Sequence, residues 1–494
     1  MELRLHKERY ERMICAANRT MEDAFTADVV VPDAMPDVAS VLLTDGDFCL
    51  WRLDFSDGCA EAEGEWKGSV CYQEESGLVK SFPVSVGIRM RISDDAIRPE
   101  LRPFAAFRVS EVGAQVMNSR KLRIKVRISL RLQCYAMDEL ELTTGFENPG
   151  KDVFGRQEEL CFSSVVNVQE QLFTVGGSHE IGLTPGGTLL SAHSEIIAEK
   201  PQIAALRAVL QGVIQTDLLY LPEGEKLPMT ERIQTPFSQL LDVAQLDPED
   251  TFQLQLQLTS AELTPQSEKG IEAEFHVVAQ ALQIRSVQAP VLKDAYSLSG
   301  ALISERSRGE IQQFSFPETQ EISLSCDTEA EADDSGMIAV VPYLHSLQVH
   351  RESMQGVVSF HILVQQENGL LRSARLTAPF EYQTAYEYTP RRIWISAAEA
   401  RVRNGAISAN AKVMLDLTEA NSVNADQVTS VRLEETSTTE RDAASLVLVP
   451  RIGNDDLWEL AKQYRSTVEM IEKTNQADED AEARYLLIPA IPVN

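Results

Sequence analysis

Basic charge is what this sequence is short of. Its 45 lysines and arginines face 75 aspartates and glutamates, for a formal net charge of -30. Such a surface repels phosphate backbones and anionic lipid, which argues against nucleic acid and bare membrane as partners. Long apolar runs are missing too. No stretch reaches the ~18 consecutive apolar residues of a membrane span; the run IAALRAVL is broken by Arg207. The opening MELRLHKERYERMICAANRT carries charge throughout and lacks the apolar core of a signal peptide. The chain is therefore expected to have no transmembrane segment and to stay in the cytoplasm.

Paired cysteine motifs are absent. The seven cysteines, Cys15, Cys49, Cys59, Cys71, Cys134, Cys161 and Cys326, are scattered and form no CxxC. Neither a disulfide framework nor a zinc ribbon fits them, so reduced thiols are expected. Catalytic signatures are missing as well. No GxxxxGK[ST] phosphate loop and no GxSxG elbow occurs, and nothing nominates a carboxylate pair for glycoside cleavage. His345, His350 and His361 lie close in sequence, but 345 and 350 would point to opposite faces of a strand, and no ligand set completes them. No catalytic residue, cofactor or metal is expected, and the protein reads as no enzyme.

What the sequence does contain is alternation. At 44% hydrophobic and 24% charged the composition is globular, and 494 residues suggest roughly three or four folded units. Leu122, Ile124, Val126, Ile128, Leu130 and Leu132 alternate with Arg123, Lys125, Arg127, Ser129 and Arg131. Phe252, Leu254, Leu256 and Leu258 alternate with glutamines. A period of two sends one set of side chains to each sheet face, as in half-wet antiparallel sheets. Helical patterns are largely missing between residues 25 and 420, so the body reads as β.

A weak repeat runs through it. Gly68, Gly212 and Gly356 each open a strand at equal intervals, and each strand is followed by a Phe/Pro pair, Phe82-Pro83, Pro236-Phe237 or Pro379-Phe380. A long alternating strand closes each unit, near 122–132, 271–279 and 406–413. The expected layout is an amphipathic lead helix over 1–24, β-modules over 25–150, 151–300 and 301–420, and a polar Ser/Thr/Glu-rich linker over 421–445. The fold class is mainly β, with three tandem antiparallel β-modules, sandwich-like, plus a small C-terminal βααβ domain over 446–494.

That last segment runs strand, helix, helix, strand. Asp456 with Glu459, and Ser466-Thr467-Val468-Glu469, suit two helix N-termini. Asn475 suits a left-handed end to the second helix. Trp458, at the first helix start, reads as core ahead of partner contact.

The run GNDDLWELAKQYRSTVEMIEKTNQ…RYLLIP resembles a LysM domain, with Asp455, Leu457, Trp458, Ala461, Tyr464, Asn475, Leu487, Ile488 and Pro489 at the expected positions. Asn454 and Asp456 replace the usual glycine and hydroxyl of the first turn, and Ala483 replaces a glycine before the final strand. These changes would narrow or repel at a sugar groove. At the other end, Val31, Pro32, Asp33, Pro36, Asp37, Val38, Gly68, Val70 and Tyr72 are similar to the SPOCS domain of spore-coat morphogenetic proteins. SPOCS repeats followed by one LysM domain are the architecture of the SipL/SpoVID-like family. That resemblance implies a non-enzymatic scaffold of endospore coat assembly, in the mother-cell cytoplasm at the forespore surface. Its LysM-like groove, Asn454, Asp455, Asp456, Leu457, Trp458, Ile488 and Pro489, would hold the coat basement-layer ATPase. Other spore coat proteins and self-association through strand edges are further expected contacts. Binding of peptidoglycan or another N-acetyl glycan stays open as the alternative.

Overall fold

The computed structural model describes residues 2–434, except 149, 205–206, 244, 267–268, 316–318, 329–333, 351, 385–387 and 404–405. Beyond that it describes 446–450, 456–475 and 485–489. The described chain is mainly β, with two short helices near its end.

One path is followed three times: an opening strand, a three-stranded meander, and a closing hairpin whose second strand returns to the opening one. First come β1 (Leu5–Val30), the meander β2 (Ser40–Ser56), β3 (Cys59–Gln73) and β4 (Val79–Ser93), then β5 (Arg102–Asn118) and β6 (Lys121–Phe146). They form sheets β1-β6-β5 and β2-β3-β4. Next come β7 (Val153–His179), β8 (Thr188–Ala198), the short β9 (Gln202–Ala204), β10 (Arg207–Leu221), β11 (Met229–Leu241), β12 (Thr251–Pro265) and β13 (Ile271–Ser297). Their orders are β7-β13-β12 and β8-β10-β11, and β1 meets β7 at Met13–Val165, so the closing sheets of the first two units join into one six-stranded sheet, β12-β13-β7-β1-β6-β5. In the third unit β14 (Ala301–Ser307) precedes an opening strand in two pieces, β15 (Glu310–Ser315) and β16 (Gln320–Asp327). The meander β17 (Asp334–Val349), β18 (Ser353–Gln366), β19 (Leu371–Gln383) follows, then β20 (Tyr388–Arg403), β21 (Ala406–Asn424) and β22 (Gln427–Glu434). β15 and β16 share one side of β21, β20 takes the other, and β22 pairs with β14.

Register repeats with topology. Gly68, Gly212 and Gly356 sit on the central meander strands, each opposite the residue that follows the proline of its Phe/Pro region: Val84, Phe237 and Phe380. The prolines occupy edge strands, where a missing N–H costs no ladder bond. A Cβ on Gly356 would meet the Phe380 ring at 2.4 Å, and one on Gly212 the Phe237 ring at 2.7 Å. Glycine is needed there because an aromatic ring lies over the backbone.

Between the two sheets of each unit lies a core. In the first, all six alternating apolar residues of β6 are buried together with Trp66, Tyr72 and Phe82. Equivalent clusters surround Phe275 in the second unit and Phe360 in the third. The long strands then run on beyond these cores. The far halves of β1/β6 and β7/β13 meet the ends of β15 and β21 around Leu142, Phe162, Val291, Ile311 and Ala425. At their other ends the meanders share Leu43, Cys71, Leu190, Leu219, Leu363 and Leu371. A third meeting point of all three units packs Leu292 with Val428, Val431, Leu5 and Phe146, and Met13, Phe104 and Tyr135 of the first unit pack on Val165, Leu282 and Ile284 of the second.

Two expectations need correction. Residues 2–24 are not a helix but most of β1, paired along β6. Ala17, Met21 and Phe25 recur every four residues, a spacing that shares one face on a helix and on a strand alike, while the bulge after Cys15 turns Met13 to the other face. Bulges at His6/Lys7 and Cys15/Ala17 hide the two-residue period. The charges answer cations and acids on β6, with Asp28–Arg123 at 2.7 Å and Arg12–Asp138 at 2.8 Å. The expected linker also begins too early: β21 runs to Asn424 and β22 to Glu434, with Val428 and Val431 buried. Residues 435–445 lie outside the described part. Among the described residues no helix is long and apolar enough to cross a membrane.

Candidate functional site

The C-terminal module is built on a two-stranded antiparallel sheet, β23 (Leu446–Pro450) with β24 (Tyr485–Pro489), carrying α1 (Leu457–Tyr464) and α2 (Val468–Asn475) between them. Its core is small: Ala461, Ile471, Leu486 and Ile488, with Val447 and Val449. Asp456 caps α1, its carboxylate accepting from Trp458 N at 3.0 Å. The cap of α2 is Thr467, whose hydroxyl accepts from Met470 N at 3.1 Å, one residue later than the capping box expected at Ser466. The left-handed residue is Arg465 after α1, φ 54°. Asn475 closes α2 differently. Its amide donates to Ile471 O and Leu487 O and accepts from Leu487 N, clamping helix to strand at 2.6–2.9 Å.

One side of this module is anchored to the body. Asp294 and Tyr296 on β13 lie directly opposite Arg156 and Phe154 on β7, so alternation brings four side chains to one face. The Trp458 ring meets Tyr296 edge-on at 4.8 Å, and Tyr296 stacks on Phe154 at 5.3 Å. The Tyr296 hydroxyl donates to Ser466 O at 2.9 Å. Asp294, 9% exposed, accepts from the Trp458 indole at 2.8 Å, from Lys462 at 2.7 Å and from Arg306 at 2.6 Å. Burial works to raise its pKa, but the Lys462 and Trp458 donors outweigh that and hold it below the usual carboxylate range. Arg156 reaches Asp456 at 2.8 Å.

Of the residues expected in a partner groove, Asp456 and Trp458 are thus occupied by the chain's own body. Leu457 is half-buried in the module core, Ile488 is fully buried, and Pro489 ends β24. Asn454 and Asp455 lie outside the described residues.

Among the described residues nothing covers the opposite side of the module. On β23 and β24 the inward residues Val447, Val449, Leu486 and Ile488 alternate with outward Leu446, Leu448, Tyr485 and Leu487. Leu448 is 63% exposed, Tyr485 55% and Leu446 48%. The outer face of this little sheet is an apolar surface backed by the module core. Periodicity in LVLVP and YLLIP contained the signal, but so short an apolar run reads equally well as wholly buried.

A second concentration of chemistry lies where the three units meet. Asp45 on β2 accepts from Tyr343 of β17 at 2.5 Å, and His193 of β8 places Nδ1 3.4 Å from Asp45 and 3.3 Å from Asp47. Asp47 also accepts from Ser194 N at 3.1 Å. Burial opposes a charge on His193, yet the two carboxylates prevail and push its pKa up to about 10. Burial pushes Asp47 up to about 6. Through these contacts the cluster ties the three units together. Asp47, His193, Ser194 and Tyr343 line a cavity of about 740 Å³ to which all three units contribute walls.

No protein-family model, curated protein or solved structure matches the chain.

Among the described residues no three or more His, Cys, Asp or Glu side chains are grouped to hold a metal. His361 is instead a neutral strand histidine, its pKa lowered to about 4 by burial and by Arg375. The junction triad escaped sequence reading because its members come from three different units, Asp45 and Tyr343 standing 298 positions apart.

Proposed function

We propose that this protein is a non-enzymatic adaptor of endospore coat assembly, carrying its docking module on a rigid three-unit body. The observation that supports this best is the two-sidedness of the C-terminal module. Asp294, Tyr296 and Arg156 hold one side to the body, while Leu446, Leu448 and Tyr485 stand out on the other. Exposed apolar residues gathered on one small face are the usual mark of a protein-binding surface. The resemblance at both chain ends supplies the partner, the coat basement-layer ATPase, and the place, the mother-cell side of the forespore. The outer strand face replaces the groove around Trp458 as the contact, because the groove side is already filled. The other coat proteins expected as partners, and self-association, belong to the same reading through the edge strands of the body.

The test uses the full chain. Mixed with the purified basement-layer ATPase, it is expected to co-elute in size-exclusion chromatography, and to stay in the supernatant when spun with purified peptidoglycan. Pelleting with peptidoglycan while eluting apart from the ATPase would overturn the reading in favour of glycan binding.

A further inference from the structure

The junction cavity holds more positive charge than its own carboxylates answer. Arg232 is paired with Asp217 at 2.9 Å, and His193 with Asp45 and Asp47. Arg392 lies 4.5 Å over the Trp394 ring and feels the charges of Glu195 and Asp416. Arg108 and Arg131 remain. Arg108 makes no ion pair among the described residues, and its Nε is sealed from solvent with no hydrogen-bond partner. Among the described residues Arg131 donates to the carbonyl of Pro390 and to no carboxylate. Arg108 feels the charge of Glu22 but makes no ion pair with it, so for a chain of net charge -30 two cavity arginines without a paired carboxylate are an anomaly. A buried, unpaired charge is costly, so a site that keeps one is suited to receive its counter-ion from outside.

Their placement fits one ligand group. Ala106 of β5 pairs with Arg131 of β6, and Arg108 stands two residues along β5, so both guanidinium groups rise from one sheet face as diagonal neighbours. Leu256, Leu258 and Leu347 supply an apolar wall beside them. About 740 Å³ is the volume of a small-molecule site. We propose that this cavity binds a small organic oxyanion, a carboxylate or phosphate on an apolar body, anchored by Arg108 and Arg131. Planar guanidinium forks suit either oxyanion, and binding would tie the three units together more tightly.

Calorimetric titration of the full chain tests this with four probes: benzoate, phenyl phosphate, inorganic phosphate and benzyl alcohol. Benzoate or phenyl phosphate is expected to bind saturably, at least about tenfold more tightly than either inorganic phosphate or benzyl alcohol. Whichever of the two anions binds better names the headgroup. Arg108→Met is expected to weaken that binding at least about tenfold while melting no lower than the wild type, since it removes an unpaired charge. No saturable binding of either organic anion up to about 10 mM overturns the proposal. So does equal binding of benzyl alcohol, a comparison that needs only the wild-type protein. Undiminished binding by folded Arg108→Met does the same.

Discussion

Asp294→Ala is expected to free the C-terminal module from the body while the three β-units stay folded. The carboxylate is the one acceptor shared by the Trp458 indole, the Lys462 ammonium and the Arg306 guanidinium. Removing it leaves an indole N–H and two cations around an apolar contact that no longer compensates them. The expected loss is about 3 kcal/mol, a hundredfold or so in the docking equilibrium. Hydrogen exchange read by mass spectrometry over residues 457–475 and 294–298 checks it: both segments should exchange faster, with exchange in β2–β4 unchanged. Asp294→Asn keeps an acceptor but no charge and should give a smaller effect of the same sign. Unchanged exchange at both segments would show that the Tyr296–Trp458–Phe154 stack alone carries the anchor.

The second large effect belongs to the junction. Asp45 is 3% exposed and receives the Tyr343 hydroxyl while facing the His193 cation. Asp45→Ala leaves a buried hydroxyl unsatisfied and a buried cation short of one of its two carboxylates, at a cost of about 3–5 kcal/mol. In a chain of this size that is a fall of roughly 3–6 °C in the melting temperature of the body. The double variant Asp45→Ala, His193→Leu should recover part of the loss, because it removes the stranded charge together with its partner. Dependence on pH follows from the same pair. Folding raises the His193 pKa from its ordinary 6.5 to about 10. Its stabilisation is therefore complete below about pH 6.5 and fades as pH rises through 10. Melting curves of wild type and His193→Leu should be well separated at neutral pH and draw together by pH 10. Curves that stay parallel across that range would place the neutral imidazole in the junction.

Local patterning carried much of the fold. The six apolar residues of β6 declared their sheet and their buried face, because a period of two has one structural meaning when it is sustained over eleven residues. The glycine and Phe/Pro markers also landed at one register in all three units. Other parts depended on partners far away in sequence. β1 looked helical because its apolar spacing of four suits both structures, and only the cations of β6, about a hundred residues on, decide the matter. The early part of the expected linker is strand because Val428 and Val431 find a core around Leu292. At the candidate site, Trp458 and Asp456 were legible as special, but their partners Asp294, Tyr296 and Arg156 lie on another unit. A local window shows that a tryptophan starts a helix; it does not show what the ring will cover.

The central claim is that the outer strand face of the C-terminal module is the adaptor's contact surface. The measurement that meets it most directly is the affinity of the full chain for the basement-layer ATPase, compared between wild type and Leu448→Glu. Leu448 is exposed and touches no core, so glutamate there should leave the melting temperature unchanged and weaken binding at least about tenfold. Equal affinity of the two proteins would contradict the account.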